Sequence, residues 1–226
     1  MNVDVAANVE RYLGKRDAEA RYTSFDYCFN YFQSFRERDA IDDLLAPDHE
    51  EMSCLQIAFY LASWGMLRGS TDLLRRSAAY HRRIVQAIVD VPREIWELDV
   101  QYYDREAIDL LRRTHRTLAG ALLGSVSPTL TTKIMLGVLG CVPAFDDNFK
   151  RGFHVSTFGP RSRAKVKTFY DANRDVVEAH RVATLDFASG LETDRRYTQA
   201  KVIDMVFFTA GMPPGSLSPI GVGAGG

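Results

Sequence analysis

Phenylalanines recur at positions 25, 29, 32 and 35 of this chain, at steps of four, three and three. Residues so spaced lie on one face of an α-helix; a strand would need every second residue. Tyr27 and Tyr31 add a second stripe, so "YTSFDYCFNYFQSF" reads as a central helix, apolar around much of its circumference, with Thr23 or Ser24 as its cap. Helical spacing then repeats along the chain. "HEEMSCLQIAFYLASWGMLRG" reads as a second buried helix, where Gly65 and Gly69 stand one turn apart and suit close approach of another backbone. "STDLLRRSAAYHRRIVQAIVDV" opens on Ser70 or Thr71 as cap and stops at Pro92, and "YDREAIDLLRRTHRTLAGALLG" runs to Gly124. A long basic helix starts at Pro160. "RRYTQAKVIDMVFFTAG" closes the series as an amphipathic helix with Ile203, Val206, Phe207 and Ala210 inward. No strand alternation and no internal repeat stands out. The expectation is an all-α globule of roughly eight to ten helices over residues 1–211, with two lobes around a cleft. A flexible Gly/Pro/Ser-rich tail over 212–226 follows.

Composition narrows the class. Three cysteines, Cys28, Cys54 and Cys141, are odd in number, widely spaced and free of any CxxC or cysteine–histidine pattern. A reduced, cytoplasmic protein without a metal site or cofactor is the simplest reading. The opening "MNVDVAANVERYLGKRD" is polar and acidic, unlike a signal peptide, and "LQIAFYLASWGML" is too short to span a bilayer. Net charge is −1, but it is unevenly spread: residues 1–60 hold 12 acids and 6 bases, while 148–181 hold 8 bases and 3 acids. The basic segment fits a local phosphate-binding face or a solvated helix face.

One stretch stands apart. "TTKIMLGVLGCVPAFDDNFKRGF", residues 131–153, sets a lone lysine, Lys133, in an apolar helix, stops at Pro143, and follows with Asp146 and Asp147. Just before it, "LLGSVSPT" reads as a helix end at Leu122, a turn from Gly124 to Pro128, and a new helix with Pro128 as its first residue. Asp146 stands where the next helix would be capped. On their own, an aspartate after a proline break reads as a cap and a lone helical lysine as one that snorkels to water.

The helix–turn–helix with an early lysine and a later aspartate resembles the helix-hairpin-helix DNA glycosylases, in particular their 8-oxoguanine glycosylase-like branch. Lys133 looks like the family's lysine early in the second hairpin helix, and Asp146 in "VPAFDDNF" looks like its aspartate, with Asp147 as a rival. The final helix is similar to the closing helix of compact members. The likeness covers about residues 115–211, and the turn "GSVSPT" departs from the family's glycine–hydrophobic–glycine pattern. It implies excision of a modified or damaged base from DNA, in repair or anti-phage defence. Breaking a base–sugar bond builds positive charge on the sugar, which a carboxylate stabilises. A lysine desolvated in apolar surroundings keeps a larger neutral fraction and can attack C1′ to form a Schiff base. The extruded base needs aromatic walls, for which Tyr27, Tyr60, Trp64 and Phe145 are candidates. Ser127, Thr129, Lys150, Arg151, Arg161, Arg163, Lys165 and Lys167 are candidates for DNA phosphates.

Two rivals stand beside it. HEPN-type ribonucleases are also all-α, and "RDVVEAH" (Arg174, His180) and "RSAAYH" (Arg76, His81) fit their arginine–histidine spacing. A non-catalytic helical module binding nucleic acid or protein would need none of these residues. No P-loop, GxSxG or EF-hand spacing is present, and "DDLLAPDHEE" reads as a solvated loop.

Overall fold

A computed structural model describes residues 3–68, 72–124 and 126–213. The chain is mostly helical. Its helices are α1 (Val5–Leu13), α2 (Ser24–Glu37), α3 (Glu50–Ser63), α4 (Arg82–Asp90), α5 (Arg105–Gly120), α6 (Pro128–Ile134), α7 (Asp147–Phe153), α8 (Pro160–Ala172), α9 (Arg174–Ala179) and α10 (Gln199–Ala210). Short 3-10 turns join several of them. One apolar core runs from Val5 to Phe208.

The all-α expectation holds, with one correction. Ala183–Leu185 (β1) and Glu192–Arg196 (β2) pair antiparallel. β1 is half-buried at both ends with Thr184 buried between, and β2 alternates exposed and half-buried, over too few residues to show in the sequence. The hairpin is held to α2 through Asp26, which accepts from Leu185 N, Tyr197 Oη and the Arg16 guanidinium.

Helix α10 is the centre of the fold rather than an amphipathic surface helix. Every residue from Gln199 to Thr209 is buried and Ala210, expected inward, is exposed. Helices α1 and α7 lie against it. The approach to α7 is close because Gly152 and Gly211 sit at the crossing: a Cβ on Gly152 would strike the Phe207 carbonyl, and one on Gly211 the Asn148 carbonyl.

Other boundaries moved for local reasons. Gly65 adopts φ +69° after the end of α3, with no backbone packed against it, so it turns the chain rather than admitting a neighbour. Gly69, Ser70 and Thr71 lie outside the described residues. Thr23 precedes α2 but gives its hydroxyl to the Asp17 carbonyl instead of capping. Helix α5 stops at Gly120, two residues before the expected Leu122. Helix α8 stops at Ala172 and Asn173 separates it from α9, so the basic stretch is two helices. The tail lies outside the described residues from 214 onward.

The unit that sets up the site is α5–turn–α6. Ser127 caps α6, its hydroxyl accepting from Leu130 N at 3.2 Å, and Pro128 starts the helix. Helix α6 then widens into a π-helical turn over Met135–Leu139. Gly137 in that turn leaves room for the Tyr60 ring, which a Cβ there would overlap. Gly140 ends the turn at φ +65°.

Candidate functional site

Lys133 and Asp146 meet. Lys133 Nζ donates to Asp146 Oδ2 at 2.8 Å. The sequence separates them by thirteen residues, and three hydrogen bonds close that gap. Thr129 Oγ1 donates to the Phe145 carbonyl at 2.9 Å, and Phe145 N donates to Thr132 Oγ1 at 2.9 Å. Ala144 N donates to Asp204 Oδ1 of α10 at 3.0 Å. The loop that carries Asp146 is thus tied to the helix that carries Lys133 and to α10 behind it. Asp146 also caps α7, Oδ1 accepting from Phe149 N at 2.9 Å. Both of its oxygens are therefore fixed, one by a backbone amide and one by an ammonium group.

The doubled aspartate resolves by exposure. The Asp146 side chain is 15% exposed and faces Lys133, whereas Asp147 is 83% exposed and pairs with Lys150 one helical turn along at 2.8 Å. That lysine holds the Asp147 carboxyl below its ordinary value. Asp147 is a rim residue.

The pair lies in a cavity of about 590 Å³. Its walls include Trp64, Tyr80, Phe208, Leu122, Leu123 and Leu130, and its polar lining includes Arg21, Arg68, Asp72, Ser127, Thr129, Asn148 and Lys150. The Trp64 ring is the shared platform: Lys133 Nζ stands 5.0 Å and the Arg21 guanidinium carbon 5.5 Å from its centroid. Lys133 is buried, so it does not snorkel.

Of the four expected aromatic walls, Trp64 alone lines this cavity. Phe145 is buried between Phe149 and Phe158, because it sits in the pinned loop and turns into the core. Tyr60 is buried over Gly137, and it and Tyr27 line a separate, mostly apolar groove of about 520 Å³ with Phe59 and Phe187. Tyr80 and Phe208 take the vacated places. The sequence held no signal for Tyr80, which lies in a 3-10 turn, while Phe208 was hidden in an apolar run.

The basic residues divide. Ser127, Thr129 and Lys150 line the cavity. Arg151 sits next to Lys150 and donates to Asn148 Oδ1. Arg161, Arg163, Lys165 and Lys167, expected beside the cleft, do not line it. Arg163 is buried, stacked on Phe158 and shifted below its ordinary pKa by that burial. Lys165 donates to the carbonyls of Phe153 and His154 at the end of α7, and Lys167 pairs with Asp171. Arg161 is exposed. Helix α8 spends its basic face on local partners.

The arginines and histidines of the two pairs each have other partners. Arg174 pairs with Asp171 and stacks on Tyr170, while His180 Nδ1 contacts the Val176 carbonyl. His81 is buried against the Ala78 carbonyl, which leaves desolvation to hold it below its ordinary pKa, and Arg76 pairs with Asp72. Among the described residues no group of three or more histidine, cysteine, aspartate or glutamate side chains could hold a metal ion, and no helix is long and apolar enough to cross a membrane.

One feature gave no sequence signal. Behind Lys133 and Asp146 lies a second lysine–carboxylate pair, Lys201 and Asp204, with Nζ 3.6 Å from Oδ2 and both residues buried. No family model, curated protein or solved structure matches this chain.

Proposed function

We propose that this protein is a DNA glycosylase that removes a modified or damaged base, with Asp146 and Lys133 as its reacting groups. The observation that carries the reading is the 2.8 Å contact between Lys133 Nζ and Asp146 Oδ2 inside one large cavity. A lysine buried in an apolar helix and matched to a carboxylate at a cavity wall has no evident use as a cap alone. The cap needs Oδ1 only.

The chemistry follows from that geometry. A base extruded from the stack enters the cavity against Trp64, with Tyr80 and Phe208 as further rings. As the bond between C1′ and the base nitrogen lengthens, its electron pair leaves with the base and positive charge grows on the sugar. The Asp146 carboxylate, already oriented by Phe149 N, stabilises that charge. After its ammonium has released a proton to water, Lys133 attacks C1′ as the C1′–base bond breaks and the departing base takes a proton from water; the attached nitrogen then passes a proton to O4′ as the C1′–O4′ bond breaks, which opens the ring and leaves a protonated Schiff base, and where water attacks C1′ instead, Lys133 orients it. Arg21 and Lys150 at the rim, with Ser127 and Thr129 at the start of α6, are placed to receive phosphates of the flanking strand.

The test is a panel of modified-base duplexes, with a structured RNA alongside, against wild type, Asp146→Asn, Lys133→Ala and His180→Ala. Base release that is lost in Asp146→Asn, and a borohydride-trapped adduct that is lost in Lys133→Ala, are expected. RNA cleavage abolished in His180→Ala with Asp146→Asn fully active would replace this reading by the ribonuclease one. DNA binding with no reaction on any substrate would leave a binding module.

A further inference from the structure

A smaller cavity, of about 220 Å³, lies among α2, the 3-10 turn Arg93–Glu97 and strand β2. It shares no lining residue with the cavity of Lys133 and Asp146 or with the apolar groove. Four arginines line it: Arg36, Arg181, Arg195 and Arg196. Among the described residues its acids are Glu97 and Asp99, so four cations stand against two anions. Gathered like charges repel, and an anion between them relieves that repulsion.

Partners within the chain do not use all of these donors. Arg195 is spent: its guanidinium holds both oxygens of Glu37 and Asn30 Oδ1. Arg36 gives one terminal nitrogen to Glu97 and has the other near Glu37, yet its Nε is buried with no partner. Arg181 donates from Nε to the Tyr197 carbonyl and from Nη1 to Glu178, which leaves Nη2 without a partner among the described residues. Arg196 is exposed, donates from Nη1 to the Arg181 carbonyl at 2.9 Å, and has no ion pair among the described residues. Trp96 is 4% exposed, and its indole N–H, which can only donate, is buried without a partner. Buried donors in folded proteins are nearly always met. The two acids, in contrast, are matched: Asp99 accepts from three amides and Glu97 from Arg36.

We propose that this cavity binds a phosphate group, at a site separate from the reaction proposed for Lys133 and Asp146. Arg181 after α9, Arg196 on β2 and Trp96 before α5 bring donors to it from three parts of the chain. A carboxylate has two oxygens to offer; a phosphate has at least three, enough for these donors and for Arg36 Nε. The guanidinium groups supply the charge, and guanidinium matches phosphate geometry. The indole N–H supplies selection, because it is neutral, held in the core and useful only to an acceptor. The phosphate comes either on a small molecule or on a nucleic-acid strand, and both present the same oxygens.

The experiment reads the cavity through its own indole. The chain holds two tryptophans, Trp64 in the cavity of Lys133 and Trp96 here, and Trp64→Phe assigns their indole N–H signals in proton–nitrogen correlation spectra. Inorganic phosphate is titrated into the full chain at constant ionic strength, with chloride as the balancing ion. A saturable shift of the Trp96 signal is expected; the Trp64 signal reports phosphate in the other cavity. In Arg196→Ala, which removes an exposed side chain, half-saturation is expected to need about tenfold more phosphate, the typical worth of one hydrogen bond to a charged group. If that variant does not fold, Arg196→Gln gives the same reading. A Trp96 signal that does not saturate, that moves equally with chloride, or that titrates unchanged in the Arg196 variant overturns the proposal. So does a shift confined to Trp64. A short DNA duplex titrated in the same way names the source, and either result upholds the phosphate pocket. A duplex that moves the Trp96 signal puts a strand phosphate in the cavity; one that leaves it unmoved reserves the cavity for small phosphate ligands.

Discussion

Two lysine–carboxylate pairs share this fold, and they differ in what surrounds them. Lys133 and Asp146 touch at 2.8 Å at a cavity wall, with Asp146 partly open to water. Lys201 and Asp204 stand 3.6 Å apart inside the core, closed off by rings. A pair at a cavity wall can exchange one partner for a substrate group; a pair sealed in the core can only act on its neighbours. On the proposed reading the first pair reacts, and the second supports it through the Ala144 amide.

The comparison breaks most readily at Asp146. Asp146→Asn keeps the size of the side chain and, since asparagine caps helices well, the start of α7. It removes the charge that would stabilise a sugar cation. Base release is expected to fall on the order of 10²–10³-fold, the typical worth of one oriented electrostatic group. Thermal unfolding of the variant is expected to fall, because the buried Lys133 ammonium keeps only an amide oxygen in place of its carboxylate, but the variant should remain folded. Full activity would place the reacting carboxylate elsewhere.

The core pair is expected to answer in stability instead. Asp204→Ala leaves the Lys201 ammonium without its carboxylate and the Ala144 amide without an acceptor. Breaking a buried pair from one side costs about 3–5 kcal/mol. Combining Lys201→Met with Asp204→Asn removes both charges while an amide oxygen still accepts from Ala144, and should recover most of that loss. Denaturant unfolding of wild type, single and double variants checks this. A double variant as unstable as Asp204→Ala would show that the ion pair itself holds the core together.

The two pairs also differ in how far the sequence disclosed them. Lys133 was visible because a lone cation interrupts an apolar helix, and Asp146 because a proline break precedes it. The helix cap was readable too, since capping is local. Asp147 against Asp146 was not, because one residue of rotation around a helix start decides which carboxylate faces in. Lys201 and Asp204 looked like the polar face of an amphipathic helix. Only the packing of α1 and α7 against α10 turns that face into core, and packing between distant elements leaves no mark in a local window. The same holds for α8: its basic run was legible, but its engagement with Phe158, Asp171 and the carbonyls at the end of α7 depends on where the helix lands. The helices came through because spacing is a local property; the hairpin β1–β2 did not, because its strands are short and Glu192–Arg196 holds no apolar residue whose alternation could be read.

Helix α10 offers a further contrast at its N-terminus. Asp99 is half-buried, accepts from the amides of Val100, Gln199 and Ala200, and has no ion pair among the described residues. Burial pushes its pKa from 3.8 up to about 6, against the pull of those amides. A carboxyl group whose pKa is raised on folding holds its proton more tightly in the folded state. Stability contributed by that proton is complete below about pH 4 and is lost as pH rises toward 6, amounting to about 3 kcal/mol. Unfolding free energies of wild type and Asp99→Asn at intervals from pH 4 to 7 should diverge across that window, with the asparagine variant flatter. Parallel curves would mean that the three amides hold Asp99 ionised throughout.

The smallest effect separates the basic residues that reach the cavity from those that do not. Lys150 lines it, and its partner Asp147 is open to water, so a phosphate can compete for the ammonium at little cost. Lys167 lies on α8, paired with Asp171 and away from the cavity lining. Each phosphate contact that neutralises one charge adds about one unit to the dependence of log affinity on log salt. Lys150→Ala is therefore expected to flatten the salt dependence of DNA binding by about one unit, and Lys167→Ala to leave it unchanged. The readout is the slope rather than the affinity at one salt concentration, because a slope counts released counterions and is insensitive to small losses of stability. Equal changes in both variants would extend the DNA track across α8; a change in Lys167→Ala alone would move the DNA off this cavity and, with it, the assignment of Lys133 and Asp146.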